Sequence, residues 1–196
     1  MNTTIAILEV GNSHSVLRAV SLSTPSSLII STSEADKLLG ADVLIIPGVG
    51  TSKGHLDFLK SNSLTDAVIN FGRSYKPIIG ICSGFHILGR HSGEGNTKCL
   101  GLCNCNVTKL PTYSNGWYPT DFYPCEFVEF NQQYFFYNHG YAVLEAEGTC
   151  ASYSRFSERI TSIYQNHNIY GFQFHPEKSQ DIGIKFLSHI FKKVLL

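Results

Sequence analysis

Short runs of consecutive apolar residues separate longer amphipathic stretches in the first half of the chain. "IAILEV" (Ile5–Val10), "SSLIIS", "DVLII" (Asp42–Ile46) and "KPIIGI" are continuous rather than alternating. That texture belongs to strands covered on both faces, as in a parallel sheet. Between them, Val16–Val20 and Glu34–Leu39 read as helices. From Ser52 to Phe71, Leu56, Leu59, Leu64, Val68 and Phe71 recur at helical spacing, with Asn62 a possible break. After Gly93 the texture changes. Residues 100–174 hold short alternating or aromatic strands divided by turn clusters such as "PTYSNG", which predicts antiparallel strands added to the sheet. The chain closes on an apolar stripe, Ile182, Phe186, Leu187, Ile190, Phe191 and Val194, predicting a helix over Ser179–Val194 with Ser179 as its N-cap. The fold class expected is α/β: a mostly parallel central sheet flanked by helices, with additional antiparallel strands, as one domain over residues 1–196.

Three segments carry candidate chemistry. In "GICSG", Cys82 stands between Gly80 and Gly84 where a strand runs into a helix beginning at Ser83–Gly89. This is the cysteine form of the nucleophile elbow. Glycines leave room for the abrupt turn, the helix N-terminus favours a thiolate, and the Ser83 N–H lies near any oxyanion that forms. A buried cysteine in an ordinary strand-to-helix turn would leave the same local pattern. In "YGFQFHPEKS", Pro176 biases His175 toward extended geometry, which lets His175 and Glu177 project to one side. A histidine before proline is elsewhere usually a surface turn; its coincidence with the elbow changes the reading. In "PGVG", Gly48 and Gly50 flank Val49 at the end of a strand, where backbone N–H groups can face a cleft, although by itself this segment reads as an ordinary strand-to-helix turn.

Composition narrows the partners. Fifteen basic and fifteen acidic side chains cancel, so bulk charge recruits neither nucleic acid nor an anionic membrane. No segment approaches membrane-spanning length, and "MNTTIAILEV" has no cationic leader region, so a cytoplasmic protein is expected. The six cysteines (82, 99, 103, 105, 125 and 150) are therefore read as reduced thiols. Cys99, Cys103 and Cys105 lack the paired C-x2-C knuckles of a zinc site and are read as strand residues. The chemistry asks for no metal and no cofactor. His14, His55, His91, His139 and His167 are expected to be satisfied polar or surface histidines.

"PGVG", "GICSG" and "HPE", in that order, resemble the class I, Cys-His-Glu triad glutamine amidotransferases and their flavodoxin-like fold. Within that family, "IAILEVGNSHSV", "VLIIPGVG", "KPIIGIC", "CLGLC", "GW" at 116–117, "NHGY" at 138–141 and "YGFQFHPEKS" resemble the glutaminase subunits of imidazole glycerol phosphate synthase, over nearly the whole chain. The resemblance implies Cys82 as nucleophile, His175 as general base and acid, and Glu177 as its orienting partner. It implies an oxyanion hole from the backbone of Val49 and Ser83, beside Gly48, and a glutamine pocket lined by Gly50, His86, Gly140 and Tyr141. It implies glutamine as substrate, ammonia as product, and a heterodimer with a (β/α)8 cyclase-type subunit.

Three departures bear on substrate grip and partner surface. The turn Glu9-Val10-Gly11-Asn12 is about two residues shorter than the family's D-Y-G-x-G-N. His86 stands where the family prefers Gln, and Tyr118 where it commonly has Asn. They leave open a paralogue serving sugar or surface-polysaccharide amidation, a stand-alone γ-glutamyl hydrolase or peptidase, and a catalytically silent regulatory subunit.

Overall fold

The computed structural model describes residues 3–124, 127–155 and 157–195, so Cys125 lies outside the described residues. The first half alternates as its hydrophobic pattern predicts. Strands β1 (Thr4–Leu8), β2 (Leu28–Thr32), β3 (Val43–Ile46) and β4 (Ile78–Ile81) are interleaved with α1 (Ser13–Ser23), α2 (Ala35–Gly40), α3 (Ser52–Ser61) and α4 (Thr65–Arg73). Asn62 does interrupt the third helical stretch: it caps α3, and Ser63 turns at φ +57° before α4 begins. A short α5 (Ser83–His86) follows β4.

The second half is strand-rich: β5 (His91–Ser92), β6 (Thr97–Lys98), β7 (Asn106–Pro119), β8 (Asp121–Phe122), β9 (Tyr134–Val143), β10 (Thr149–Arg155), β11 (Glu158–Asn166) and β12 (Ile169–Phe172). The last helix is α6 (Gln180–Val194). The main sheet has the order β2-β1-β3-β4-β12-β11-β10-β8. The first five of these run parallel, and β11, β10 and β8 continue the sheet antiparallel.

Both faces of the parallel part are covered, which is why its strands read as unbroken apolar runs. Ile5 and Ile7 of β1 pack with Val16 and Val20 of α1 and Phe186 and Ile190 of α6. Ala6 and Leu8 of the same strand pack with Leu38, Leu59 and Val68 on the other side. Each such fully buried large side chain contributes roughly 2 kcal/mol.

Three expectations need correction. Not all the later strands join the main sheet: β5, β6, β7 and β9 form a second, four-stranded sheet in the order β6-β5-β7-β9. "PTYSNG" is not a turn between strands. It lies inside β7, whose pairing with β9 shifts register between Lys109 and Ser114. A bulge absorbs residues that would otherwise signal a reversal, and bends the strand instead. The cysteine cluster also departs from its reading. Cys99, Cys103 and Cys105 lie buried in the loop between β6 and β7 rather than on strands, and Cys103 and Cys105 join the apolar cluster on one face of β1, β3 and β4. Cys82, Cys99, Cys103 and Cys105 are reduced thiols. Among the described residues no group of three or more His, Cys, Asp or Glu is arranged to hold a metal, and no helix is long and apolar enough to cross a membrane.

Candidate active site

At the carboxyl end of β4, Cys82 turns at φ +49° and ψ −112°. That conformation costs an L-residue on the order of 1–3 kcal/mol and survives only where its surroundings enforce it. Here they do. The Cys82 N–H donates to the Phe172 carbonyl at 2.6 Å, and the Cys82 carbonyl accepts from the His86 N–H at 3.0 Å. A Cβ on Gly80 would meet the Phe85 backbone at 2.6 Å, and one on Gly84 would lie 2.1 Å from the Ile46 carbonyl oxygen. The elbow therefore requires both glycines. The helix beyond it is a single turn, shorter than the expected Ser83–Gly89. The carbonyls of Ile87, Leu88 and Gly89 accept from Leu100, Leu102, Cys103 and Gly101, which draws the chain out of the helix.

His175 lies just past β12, extended at φ −102° and ψ 94° as its proline predicts, and its N–H donates to the Phe136 carbonyl at 2.8 Å. Its Nδ1 is 2.7 Å from Glu177 Oε1. The two side chains meet across a 3-10 turn, Pro176–Lys178, rather than along an extended chain. Ser179 precedes α6 but its side chain does not cap the helix. The hydroxyl donates to the His175 carbonyl at 2.7 Å and accepts the Phe136 N–H at 3.0 Å, fastening the turn to β9.

His175 Nε2 is buried with no hydrogen-bond partner among the described residues. Burial alone would lower the pKa of His175. Electrostatic interaction and hydrogen bonding with the Cys82 sulfur, and then the bond and charge of Glu177, outweigh it and raise the pKa to about 10. Glu177 shows the mirror effect: burial favours its neutral form, but hydrogen bonds from His175 and from Asn12 hold its carboxyl below the usual range.

Asn12, noted in the sequence only as part of the shortened turn after the first strand, reaches the triad. Its Nδ2 donates to Glu177 Oε1 at 2.7 Å across 165 residues of chain. Gly11, at φ +60°, brings this turn against the "PGVG" loop; a Cβ there would lie 2.5 Å from the Val49 carbonyl oxygen. The only sequence signal was the glycine–asparagine pair at a strand end.

A cavity of about 390 Å³ opens on this group. Gly48, Val49, Gly50, Cys82, Ser83, His86, Gly140, Tyr141 and His175 all reach its wall. Glu177 does not; it lies behind His175 with its side chain fully buried. Glu94 and Lys109, which the sequence did not single out, also line the cavity and supply a carboxylate and an ammonium group.

Other histidines surround the site. His55 is buried, its Nε2 3.0 Å from the Pro47 carbonyl oxygen and its Nδ1 3.0 Å from that of Thr51, which braces the loop between them. His139 bonds the Tyr141 carbonyl through Nδ1 and the Tyr153 hydroxyl through Nε2. His86 Nε2 is 2.9 Å from Gln173 Oε1. Burial lowers the pKa of His86 to about 4 and that of His139 to about 3, so both rings are neutral near pH 7.

The profile of class-I glutamine amidotransferases matches residues 7–194, nearly the whole chain. The chain belongs to the class-I glutamine amidotransferase family. It is 34% identical to "Imidazole glycerol phosphate synthase subunit HisH" of Idiomarina loihiensis, over the full length of both. It is 33% identical to the subunit of the same name from Methanopyrus kandleri, over 95% of this chain and 96% of that one. A relative named "subunit HisH 2" in Legionella pneumophila is 31% identical over 81% of this chain and 82% of its own. Among solved structures, a glutamine amidotransferase superposes with a TM-score of 0.77 at 14% identity, covering 98% of this chain and 99% of that one. The PurLQS structure from Thermotoga maritima gives 0.75 at 17% identity, with 100% and 98% covered. At such identities these structures establish the fold alone. The chain is thus a glutamine amidotransferase of the HisH group, with the mixed α/β sheet of its family.

Proposed function

We propose that this chain is the glutaminase subunit of an imidazole glycerol phosphate synthase: it hydrolyses glutamine at Cys82 and hands the ammonia to a (β/α)8 cyclase-type partner. One observation carries the site assignment. His175 joins Glu177 through Nδ1, its buried Nε2 is left without an ordinary hydrogen-bond partner among the described residues and is influenced by Cys82, and both His175 and Cys82 line one cavity.

In the reaction, the Cys82 sulfur attacks the carboxamide carbon of glutamine. Backbone N–H groups of Val49 and Ser83 receive the oxyanion. His175 gives a proton to the departing nitrogen, the C–N bond breaks and ammonia leaves. Water, giving a proton back to His175, then hydrolyses the thioester to glutamate and restores Cys82. Glu177 holds the imidazole in orientation and stabilises its charged form. Gly48, Gly50, His86, Gly140 and Tyr141 bound the pocket, and Glu94 and Lys109 complement the α-ammonium and α-carboxylate of an amino-acid substrate.

The case for a docked partner rests on the surface beside His175. Trp117 and Tyr134 are about half exposed on the paired strands β7 and β9, and Trp117 packs edge-on against Phe136, whose carbonyl holds His175. Ammonia released into bulk water at neutral pH becomes ammonium and loses its lone pair, so a sealed aromatic rim suits transfer. The reading makes the protein cytoplasmic, without nucleic-acid or membrane partners, and one amidotransferase domain.

The test is glutamine hydrolysis by the chain with and without a (β/α)8 cyclase from the same genome. The cyclase is expected to raise the rate and Cys82→Ala to abolish it. Full activity of the isolated chain would favour a stand-alone hydrolase. Activity surviving in Cys82→Ala would refute the site.

A further inference from the structure

Gln173 follows β12 and is wholly buried, yet its amide touches two groups of opposite demand. Its Oε1 is 2.9 Å from His86 Nε2, and its Nε2 is 3.6 Å from Cys82 Sγ. We propose that Gln173 donates a hydrogen bond to the Cys82 sulfur, and that His86 is the positioning residue deciding which end of the amide faces it. The proposal rests on Cys82 being the nucleophile.

The direction of each bond follows from chemistry. A thiolate only accepts, so the NH₂ end of the amide must point at it. The amide oxygen then faces His86, which must donate. A neutral imidazole has one N–H, and only the tautomer protonated at Nε2 can donate to Oε1. Among the described residues its Nδ1 is buried without a partner, as a bare ring nitrogen would be. Rotating the amide by half a turn would set a carbonyl lone pair against the anion and leave two donors facing each other. His86 thus breaks a symmetry that Gln173 alone cannot.

The consequence lies in the population of reactive sulfur. A hydrogen bond to an anion favours the anion. It also makes the sulfur a weaker nucleophile, but by only about half as much on a logarithmic scale. The net effect at neutral pH is a faster attack. A side chain of the family's usual kind at position 86, Gln, retains an N–H donor and serves the same end.

The experiment is the pH dependence of Cys82 alkylation by iodoacetamide in the full chain, read by mass spectrometry on the Cys82 peptide. Gln173→Met is expected to move the midpoint up by about one pH unit and to slow alkylation at pH 7 about threefold. Gln173→Glu, which sets a second anion beside the sulfur, moves it further. His86→Phe shifts it in the same direction, and His86→Gln restores it. A Gln173→Met or His86→Phe protein with a wild-type midpoint overturns the proposal; should one fail to fold, the other decides. Alkylation does not require turnover, so this outcome is separable from glutamine hydrolysis surviving in Cys82→Ala, which would remove the function and not the hydrogen bond.

Discussion

His175 and His86 line one cavity, are equally buried, and have opposite fates. One holds its proton up to about 10, the other gives it up at about 4. Burial pushes both the same way. The difference lies in what they face. His175 meets the Glu177 carboxylate and the Cys82 sulfur, both of which favour its charged form, whereas His86 meets a neutral amide and lies near two further histidines whose charge would repel its own. Depth therefore does not assign a histidine's role; the charge of its neighbours does. One wall of the cavity is built to hold and move a proton, and the other to stay neutral.

Removing the charge that separates the two walls has the largest expected effect. Glu177→Gln keeps the shape but leaves His175 facing an amide, as His86 does. Glutaminase kcat is expected to fall by at least about 100-fold, in a steady-state assay with the cyclase present. A loss under threefold would mean that the carboxylate is not what distinguishes His175.

The same contrast has a stability signature. Folding raises the pKa of His175 from 6.5 to about 10, so the folded protein keeps a proton that the unfolded chain releases. The stability this provides is complete below pH 6.5 and is lost as pH climbs through about 10. Thermal unfolding of wild type against His175→Gln should therefore show a gap that is widest near pH 6 and closes toward pH 10. A gap independent of pH would contradict the charged state of His175.

Asn12 sharpens the comparison from behind, since it donates to the same Glu177 oxygen that receives His175. Asn12→Ala should lower kcat about tenfold with little change in KM. Equal kcat in the two proteins would make the contact merely structural. The smallest effect is expected on the neutral wall. Tyr153→Phe removes the hydroxyl that His139 Nε2 accepts and should lower Tm by about 2–4 °C. An unchanged Tm would show that this ring nitrogen finds another donor.

Much of this arrangement was legible along the chain, for identifiable reasons. The parallel strands announce themselves because two-sided burial admits no polar alternation, as in Val43–Ile46. The elbow is legible because only glycine fits at 80 and 84. Illegible were the contacts that join distant segments. Nothing near Asn12 in sequence points to Glu177, and nothing near Gln173 points to His86 and Cys82. The second sheet was hidden as well, because "PTYSNG" has turn composition and only pairing with β9 makes it strand. Ser179 was read as a cap because local rules know only its own helix, whereas its hydroxyl is taken by His175 and Phe136.

The amino-acid order alone settles the α/β class and brings the His-Pro-Glu segment and the Gly-flanked Cys82 into view, because each is written in residues adjacent in the chain; the strain at Cys82 is enforced by Phe172 and Ile46 from distant strands. Which histidine carries charge was decided by the tertiary structure. A pKa answers to neighbours within a few ångströms, and here the amide that faces His86 arrives from a segment 87 residues away.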